Sequence, residues 1–182
     1  RGLVGSEMCI RDSVNMGYLS VQQGRGTFVE NVTETNELFH QRLKRADIQE
    51  LREVRDIMEA PIARLATQRR TKADLESMKR YVYERGESAK CGDIEKCIAA
   101  DICFHKAVAR ATHNEILSEL YDGMTIHLAS GYEYIYEDTL HLMASQSLHE
   151  RLVQYIEDGN IEEAVRSAKL LWNNVMEKDT DE

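Results

Sequence analysis

The chain has 182 residues, a length that accommodates one ordinary domain and a fragment of another. Hydrophobic residues make up 42% and charged residues 30%, a balance typical of a helix-rich globular protein with a core. The formal net charge of −9 disfavours a body that wraps nucleic acid, because phosphate contacts need Lys and Arg. No apolar run reaches the roughly 18 residues of a membrane span and no leader pattern opens the chain, so we expect a cytoplasmic protein without membrane association.

Residues 1–13, RGLVGSEMCIRDS, differ in character from the rest of the chain. They have neither a helical apolar stripe nor strand alternation, and the change at Ser13–Val14 is abrupt. The string resembles a translated sequencing-adapter artefact, so we expect a non-native segment and exclude it from the fold. The alternative is a natural disordered N-terminus.

Residues 17–30, GYLSVQQGRGTFVE, predict a β-hairpin. The run Gly24-Arg25-Gly26 supplies the turn, because glycine accepts positive φ without a Cβ penalty. An arginine at a hairpin tip can reach into a groove of DNA. The residues that favour the two strands are Tyr18, Leu19 and Val21 before the turn and Thr27, Phe28 and Val29 after it.

After a short helix expected around residues 37–43, the chain predicts an antiparallel bundle of about six helices, which makes the fold class all-α after the hairpin. The first long helix has an apolar stripe that includes Leu51, Val54 and Ile62, and Pro61 is expected to kink it. The second is expected to end at Gly86. The predicted helix starts are Asp47 with Glu50, Thr71 with Asp74, Gly92-Asp93, Asn114, Ser145 or Ser147, and Asn160 with Glu163.

Asp101 and His105 are the first pair that could carry chemistry. Residues at i and i+4 lie on one helix face, so a carboxylate oxygen and an imidazole nitrogen can meet one cation. The spacing alone is weak support, because most such pairs are solvated or only hydrogen-bonded to each other.

The hairpin resembles the wing of the winged helix-turn-helix domain in the GntR family of transcription regulators, on the run Gln22-Gln23-Gly24-Arg25-Gly26-Thr27-Phe28-Val29. The resemblance implies that Gly24, Arg25 and Gly26 contact operator DNA. The recognition helices of that domain would lie upstream of Val14 and are expected to be missing, so this chain alone should bind an operator poorly. A generic surface hairpin is the alternative.

The run DICFHKAVARATHNEIL, residues 101–117, resembles the D-x-x-F-H-x-x-[IVL]-x-x-[AS]-x-x-N-x-x-[IL] signature of the FCD effector domain. In metal-binding members the resemblance implies one aspartate and three histidines, which map to Asp101, His105 and His149. The fourth position is Leu171, where those members have histidine. Metal binding is therefore left open, with zinc as the expected ion and a carboxylate effector, water or Asn174 as the group that completes its shell.

The same resemblance implies effector contacts for Arg55 and Asn114. A buried guanidinium can bind a ligand carboxylate bidentately. Each residue has a plainer interpretation: Arg55 can pair with Glu59 at i+4, and Asn114 can cap its helix, which we favour.

These patterns predict a ligand-responsive transcription regulator of the FadR branch, not an enzyme. It would form a homodimer on a palindromic operator and sense a small organic acid or sugar acid. One alternative is a metal-free, acyl-CoA-type sensor of the same fold; the other is a di-iron enzyme, suggested by Glu37-x-x-His40 and Asp138-x-x-His141. The predicted segments after the first are the wing at 14–32, the effector domain at 33–178 and a tail at 179–182.

Overall fold

The computed structural model describes residues 19–22, 24, 26–29, 42–43, 45–135 and 138–176. It divides the chain into two compact units, Arg1–Arg45 and Ala46–Glu182. Several predicted features lie outside the described residues, so they stay predictions; they include the segment 1–13, Tyr18, Arg25, most of the short helix at 37–43, and the tail 179–182.

The hairpin of the first unit consists of β1, Leu19–Gln22, and β2, Gly26–Val29. The strands are antiparallel, with Val21 opposite Thr27 and Gln22 opposite Gly26. Gly24 and Gly26 have φ of 79° and 109°, values that L side chains rarely adopt, so the turn requires glycine there. The predicted hairpin is confirmed.

The second unit is an all-α bundle, as predicted. Helix α3 packs against α1, α2 and α4, while α7 packs against α1 and α6. The helices of the described residues are α1, Ile48–Arg69; α2, Lys72–Lys90; α3, Ile94–Arg110; α4, Glu115–Ile135; α5, Leu140–Ala144; α6, Gln146–Asp158; and α7, Ile161–Met176.

Helix α1 begins with the predicted capping box. The Asp47 carboxylate accepts from the Gln49 amide at 2.8 Å, and the Glu50 carboxylate accepts from the Asp47 amide at 3.3 Å. The helix continues through Pro61 to Arg69. Val54 of the predicted apolar stripe is 47% exposed, so the stripe does not coincide with the buried face of the helix.

The reason for the exposure of Val54 is that the inner face of α1 is partly polar. Arg52, Arg55 and Glu59 are all buried on it. A count of apolar positions therefore places the buried face of this helix wrongly, because charged residues share the face with Leu51 and Ile62.

Helix α2 does not end at Gly86 but continues to Lys90, which corrects the predicted boundary. Gly86 is buried, and a Cβ there would lie 2.9 Å from Nε2 of Gln146. This glycine allows α6 to approach α2 closely instead of terminating the helix. The fourth helix is expected from the sequence to run from Asn114 to Leu140, but Thr139 is instead the N-cap of the separate short helix α5.

The start of α2 supplies a pH-dependent contribution to stability. The Asp74 carboxylate accepts from the Thr71 amide and hydroxyl, each at 2.7 Å, and lies 2.9 Å from Nε2 of His113. Burial alone would raise the pKa of Asp74, but these partners outweigh it and lower the pKa from its ordinary 3.8. The charged form therefore stabilises the fold above pH 3.8, and that stability is lost as the pH falls through the folded pKa.

We predict that Asp74→Ala lowers the free energy of unfolding by about 1 kcal/mol near neutral pH, the usual contribution of a helix cap. The deficit relative to wild type should begin to shrink as the pH falls below about 3.8 and should vanish below the lower folded pKa, where the wild-type carboxyl is protonated as well. Urea unfolding near neutral pH and again in acid measures the stability deficit of Asp74→Ala. Glu76→Ala, at an exposed position on the same helix, is the control. A deficit that stays constant with pH would contradict the assignment.

Candidate metal centre

The structure brings Asp101, His105 and His149 together. Asp101 and His105 are one turn apart on α3, and His149 is on α6. Their potential ligand atoms all lie within 4.8 Å of one another. The Phe104 ring is fully buried and packs edge-on against both imidazoles, with centroid distances of 5.0 Å to His105 and 5.3 Å to His149.

The closest approaches in this cluster are between each imidazole and the carboxylate. Nε2 of His149 lies 3.0 Å from Oδ1 of Asp101, and Nε2 of His105 lies 3.8 Å from Oδ2. The side chain of His149 is 4% exposed and that of Asp101 is 14% exposed. The groups are therefore largely withdrawn from water. Electrostatic interactions between them are stronger in these buried surroundings than they would be in water.

The tautomer of His149 follows from its other nitrogen. Nδ1 lies 2.8 Å from the Ser145 carbonyl oxygen, which can only accept, so Nδ1 carries the hydrogen. Burial and the nearby Arg85 guanidinium lower the pKa of His149 to about 4, so the ring is neutral. With the hydrogen on Nδ1, Nε2 can offer its lone pair to a cation, and this buried nitrogen makes no well-directed hydrogen bond within the described residues.

Glu59 lies beside the other nitrogen of His105, at ion-pair distance and without a well-directed hydrogen bond. Nδ1 of His105 lies 3.1 Å from Oε1 of Glu59, and an anionic oxygen at this distance favours a hydrogen on Nδ1. Nε2, on the other side of the His105 ring, faces Asp101. Oε1 of Glu59 also accepts from Nε of Arg55 at 2.9 Å and from the Tyr121 hydroxyl.

The electrostatics of Glu59 support this arrangement. Burial would raise the pKa of Glu59, but His105, Arg55 and Tyr121 together hold it well below its usual range. Glu59 is therefore an anion that faces the imidazole from the side opposite to Asp101. Sequence analysis identified Glu59 only as a possible partner of Arg55 and missed its contact with His105.

Two imidazole nitrogens and a carboxylate converge in this largely buried space, and a cation bound among them would contact all three. The donor set of two imidazoles and one carboxylate, with Glu59 behind one imidazole and a backbone carbonyl behind the other, is what a zinc-type divalent ion needs. The residues present therefore fit a metal. Among the described residues, the cluster of possible ligands contains only Asp101, His105 and His149.

Arg85 on α2 is a further buried member of this region that sequence analysis missed. Its side chain is 1% exposed, and Nε donates to Oδ1 of Asp101 at 2.7 Å. Burial would raise the pKa of Asp101, but Arg85, His149 and His105 together outweigh it and hold that pKa well below its usual range. Its position after Met78 and Val82, at helical spacing on the buried stripe of α2, was the available signal.

Comparison with known proteins assigns the family. Residues 50–174, most of the chain, match the FCD domain. The chain belongs to the FCD domain family. It is similar to the HTH-type transcriptional regulator LutR of Bacillus subtilis (strain 168), with 27% identity over 169 residues that cover 85% of this chain and 76% of LutR.

Solved structures agree with this FCD fold. E. coli McbR/YncC matches with a TM-score of 0.64 and 17% identity, over 94% of this chain and 81% of its own. Streptococcus agalactiae GntR matches with a TM-score of 0.64 and 19% identity, over 94% of this chain and 79% of its own. The predicted assignment to GntR-family regulators with an FCD domain is confirmed.

The other residues predicted for the FCD domain's site have simpler surroundings. Arg55 is buried and paired with Glu59, as its plainer interpretation expected. Asn114 is exposed and its Oδ1 accepts from the Leu117 amide at 3.2 Å, the favoured capping role. Leu171 is buried on α7. The effector contacts of Arg55 and Asn114 stay predictions.

The remaining predictions concern DNA and other functions. Gly24 and Gly26 form the hairpin turn, and their DNA contact stays a prediction. Asp138 and His141 of the di-iron alternative are both exposed. Glu37 and His40 lie outside the described residues. None of the helices in the described part of the FCD chain is long and apolar enough to span a membrane.

Proposed function

We propose that this FCD domain is the sensor of a ligand-responsive transcription regulator, and that it binds a small carboxylate metabolite at a divalent metal held by Asp101, His105 and His149. The observation that carries the proposal is the buried Nε2 of His149, which makes no hydrogen bond to any residue that the structure describes and lies 3.0 Å from a carboxylate oxygen. A cation is the partner that satisfies both atoms. Zinc suits the donor set best.

The chain's own residues hold this centre in place. The Ser145 carbonyl fixes the ring of His149, Glu59 fixes that of His105, and Arg85 fixes the carboxylate of Asp101. A bound metal supplies positive charge and open coordination positions for ligand oxygen atoms. Arg55, buried beside Glu59, is the proposed second contact for the carboxylate of an organic acid or sugar acid.

Ligand binding would act on DNA through helix packing. The site joins α3 to α6, so a ligand that binds one arrangement of these helices better than another shifts their equilibrium. In the intact homodimer this shift would move the winged-helix domains relative to a palindromic operator in the cytoplasm. The hairpin turn of Gly24, Arg25 and Gly26 would contribute a contact to the DNA, while the recognition helices would provide specificity.

A metal-free sensor for an apolar ligand is the second candidate. Leu171 stands where metal-binding members have histidine and is buried, which favours an apolar wall. The exposed Asp138 and His141 give no support to a di-iron enzyme, because such ligands project into the bundle interior.

Zinc binding and ligand binding can be tested together by thermal shift. Chelator-treated chain should rebind zinc in a one-to-one ratio, and a matching organic acid or sugar acid should then raise the Tm. A ligand at 100 times its Kd stabilises the folded state by about 2.7 kcal/mol. The Tm shift should disappear after renewed chelation.

Two results would contradict the metal-dependent sensor. One is a chain that neither co-purifies with nor rebinds a first-row metal. The other is an acid whose Tm shift is the same with and without chelator, which would favour the metal-free candidate instead.

A further inference from the structure

The guanidinium of Arg85 is buried beside Asp101, and each of its nitrogen atoms donates a hydrogen bond to an identified acceptor. Besides Asp101, it donates from Nη1 to the Leu142 carbonyl at 2.7 Å and to Oε1 of Gln146 at 2.8 Å. Nη2 donates to the Ser145 hydroxyl at 2.8 Å. The planar fork of an arginine serves all these acceptors at once, which the single ammonium of lysine cannot do.

This arrangement places a permanent positive charge against the one anionic ligand of the proposed centre. Oδ1 of Asp101 accepts a hydrogen bond from Nε of Arg85 at 2.7 Å and lies 3.0 Å from Nε2 of His149. A metal bound to Asp101 therefore shares that carboxylate with a cation that cannot be deprotonated. The carboxylate is weakened as a ligand, and the metal is repelled by a charge that is buried with it.

We propose that Arg85 is an affinity-determining residue of this centre: a built-in counter-ion of Asp101 that competes with the metal and keeps its affinity low. The proposal rests on the metal centre proposed above. A dication beside a carboxylate that is already neutralised retains uncompensated charge. An anionic ligand that coordinates it would supply the missing negative charge, so metal retention becomes dependent on that ligand.

The alternative is that Arg85 only orients the carboxylate of Asp101 for metal binding and does not compete with the metal. The two roles predict opposite changes in metal affinity when Arg85 is replaced by a neutral residue. Loss of an orienting partner weakens metal binding by about 10–100-fold. Loss of a competing charge strengthens it, because Asp101 is then an unpaired buried anion.

The test is a zinc titration of the metal-depleted full chain against a competing chelator indicator, with Asp101→Asn subtracting zinc bound elsewhere. Arg85→Met removes the charge and keeps the side-chain length, and we expect it to bind zinc at least about 10-fold more tightly than wild type, in the range of outer-partner effects. Arg85→Lys keeps the charge and loses the fork, and it should stay much closer to the wild-type affinity. Arg85→Gln is the neutral variant to use if Arg85→Met does not fold, as judged by circular dichroism.

Weaker or unchanged zinc binding in the neutral variants would overturn the proposal. The metal centre can fail separately: if wild type binds no more zinc than Asp101→Asn, the proposed metal site is wrong for the native chain. Zinc binding that then appears in Arg85→Met would still identify Arg85 as the residue that prevents it. If no variant binds zinc above the Asp101→Asn background, both proposals fail.

Discussion

Asp101→Asn is expected to lower the free energy of unfolding of the metal-free chain by about 3–5 kcal/mol, the usual result of removing one partner from a buried ion pair. The substitution keeps the shape of the side chain but leaves Arg85 with its charge buried and its strongest acceptor neutralised. It should also reduce zinc affinity by more than the roughly 10–100-fold that follows the loss of an outer partner, since it removes the anionic ligand itself.

Urea unfolding of the metal-free protein and a zinc titration measure these two effects separately. Glu95→Gln is the matched control, because Glu95 is exposed on the same helix and should change neither quantity. A stable Asp101→Asn chain would mean that the pair with Arg85 contributes little to the fold. Retained zinc affinity would place the metal elsewhere.

Glu59→Gln should change both the stability of the fold and zinc binding, because Glu59 contacts Nδ1 of His105. The amide cannot balance Arg55 as a carboxylate does, and we expect a loss of about 3 kcal/mol in the free energy of unfolding. It also no longer favours a hydrogen on Nδ1 of His105, so zinc affinity should fall by about 10–100-fold.

The control for Glu59 is Glu53→Gln, a change at an exposed position on the same helix. Glu59→Asp keeps the charge but shortens the side chain, which separates the electrostatic effect from the geometric one. If Glu59→Gln loses stability but binds zinc as wild type does, Glu59 supports the bundle without orienting His105.

The sequence was informative where local chemistry decides the structure. The boxes at Asp47 and Thr71 start α1 and α2 as predicted, because a cap is formed by neighbouring residues. The turn around Gly24 was equally local. Asp101 and His105 could be paired from their spacing alone, whereas His149 came from family resemblance, since only the fold brings α6 to α3.

Burial and long-range contacts were the parts that could not be predicted. Gly86 indicated a helix end, but its role depends on Gln146 of a different helix. Arg85 and the contact of Glu59 with His105 were overlooked because charged residues are rarely buried. These contacts become apparent only once α2 and α1 have packed around α3.

The two histidines of the centre lie on helices that are far apart in sequence, α3 and α6. An ion held by both would act as a removable cross-link that closes the long intervening stretch of chain. Unlike a covalent disulfide, such a link is released on unfolding, so it stabilises the native state by mass action. The stability of the contact between α3 and α6 would then depend on the concentration of free metal ion.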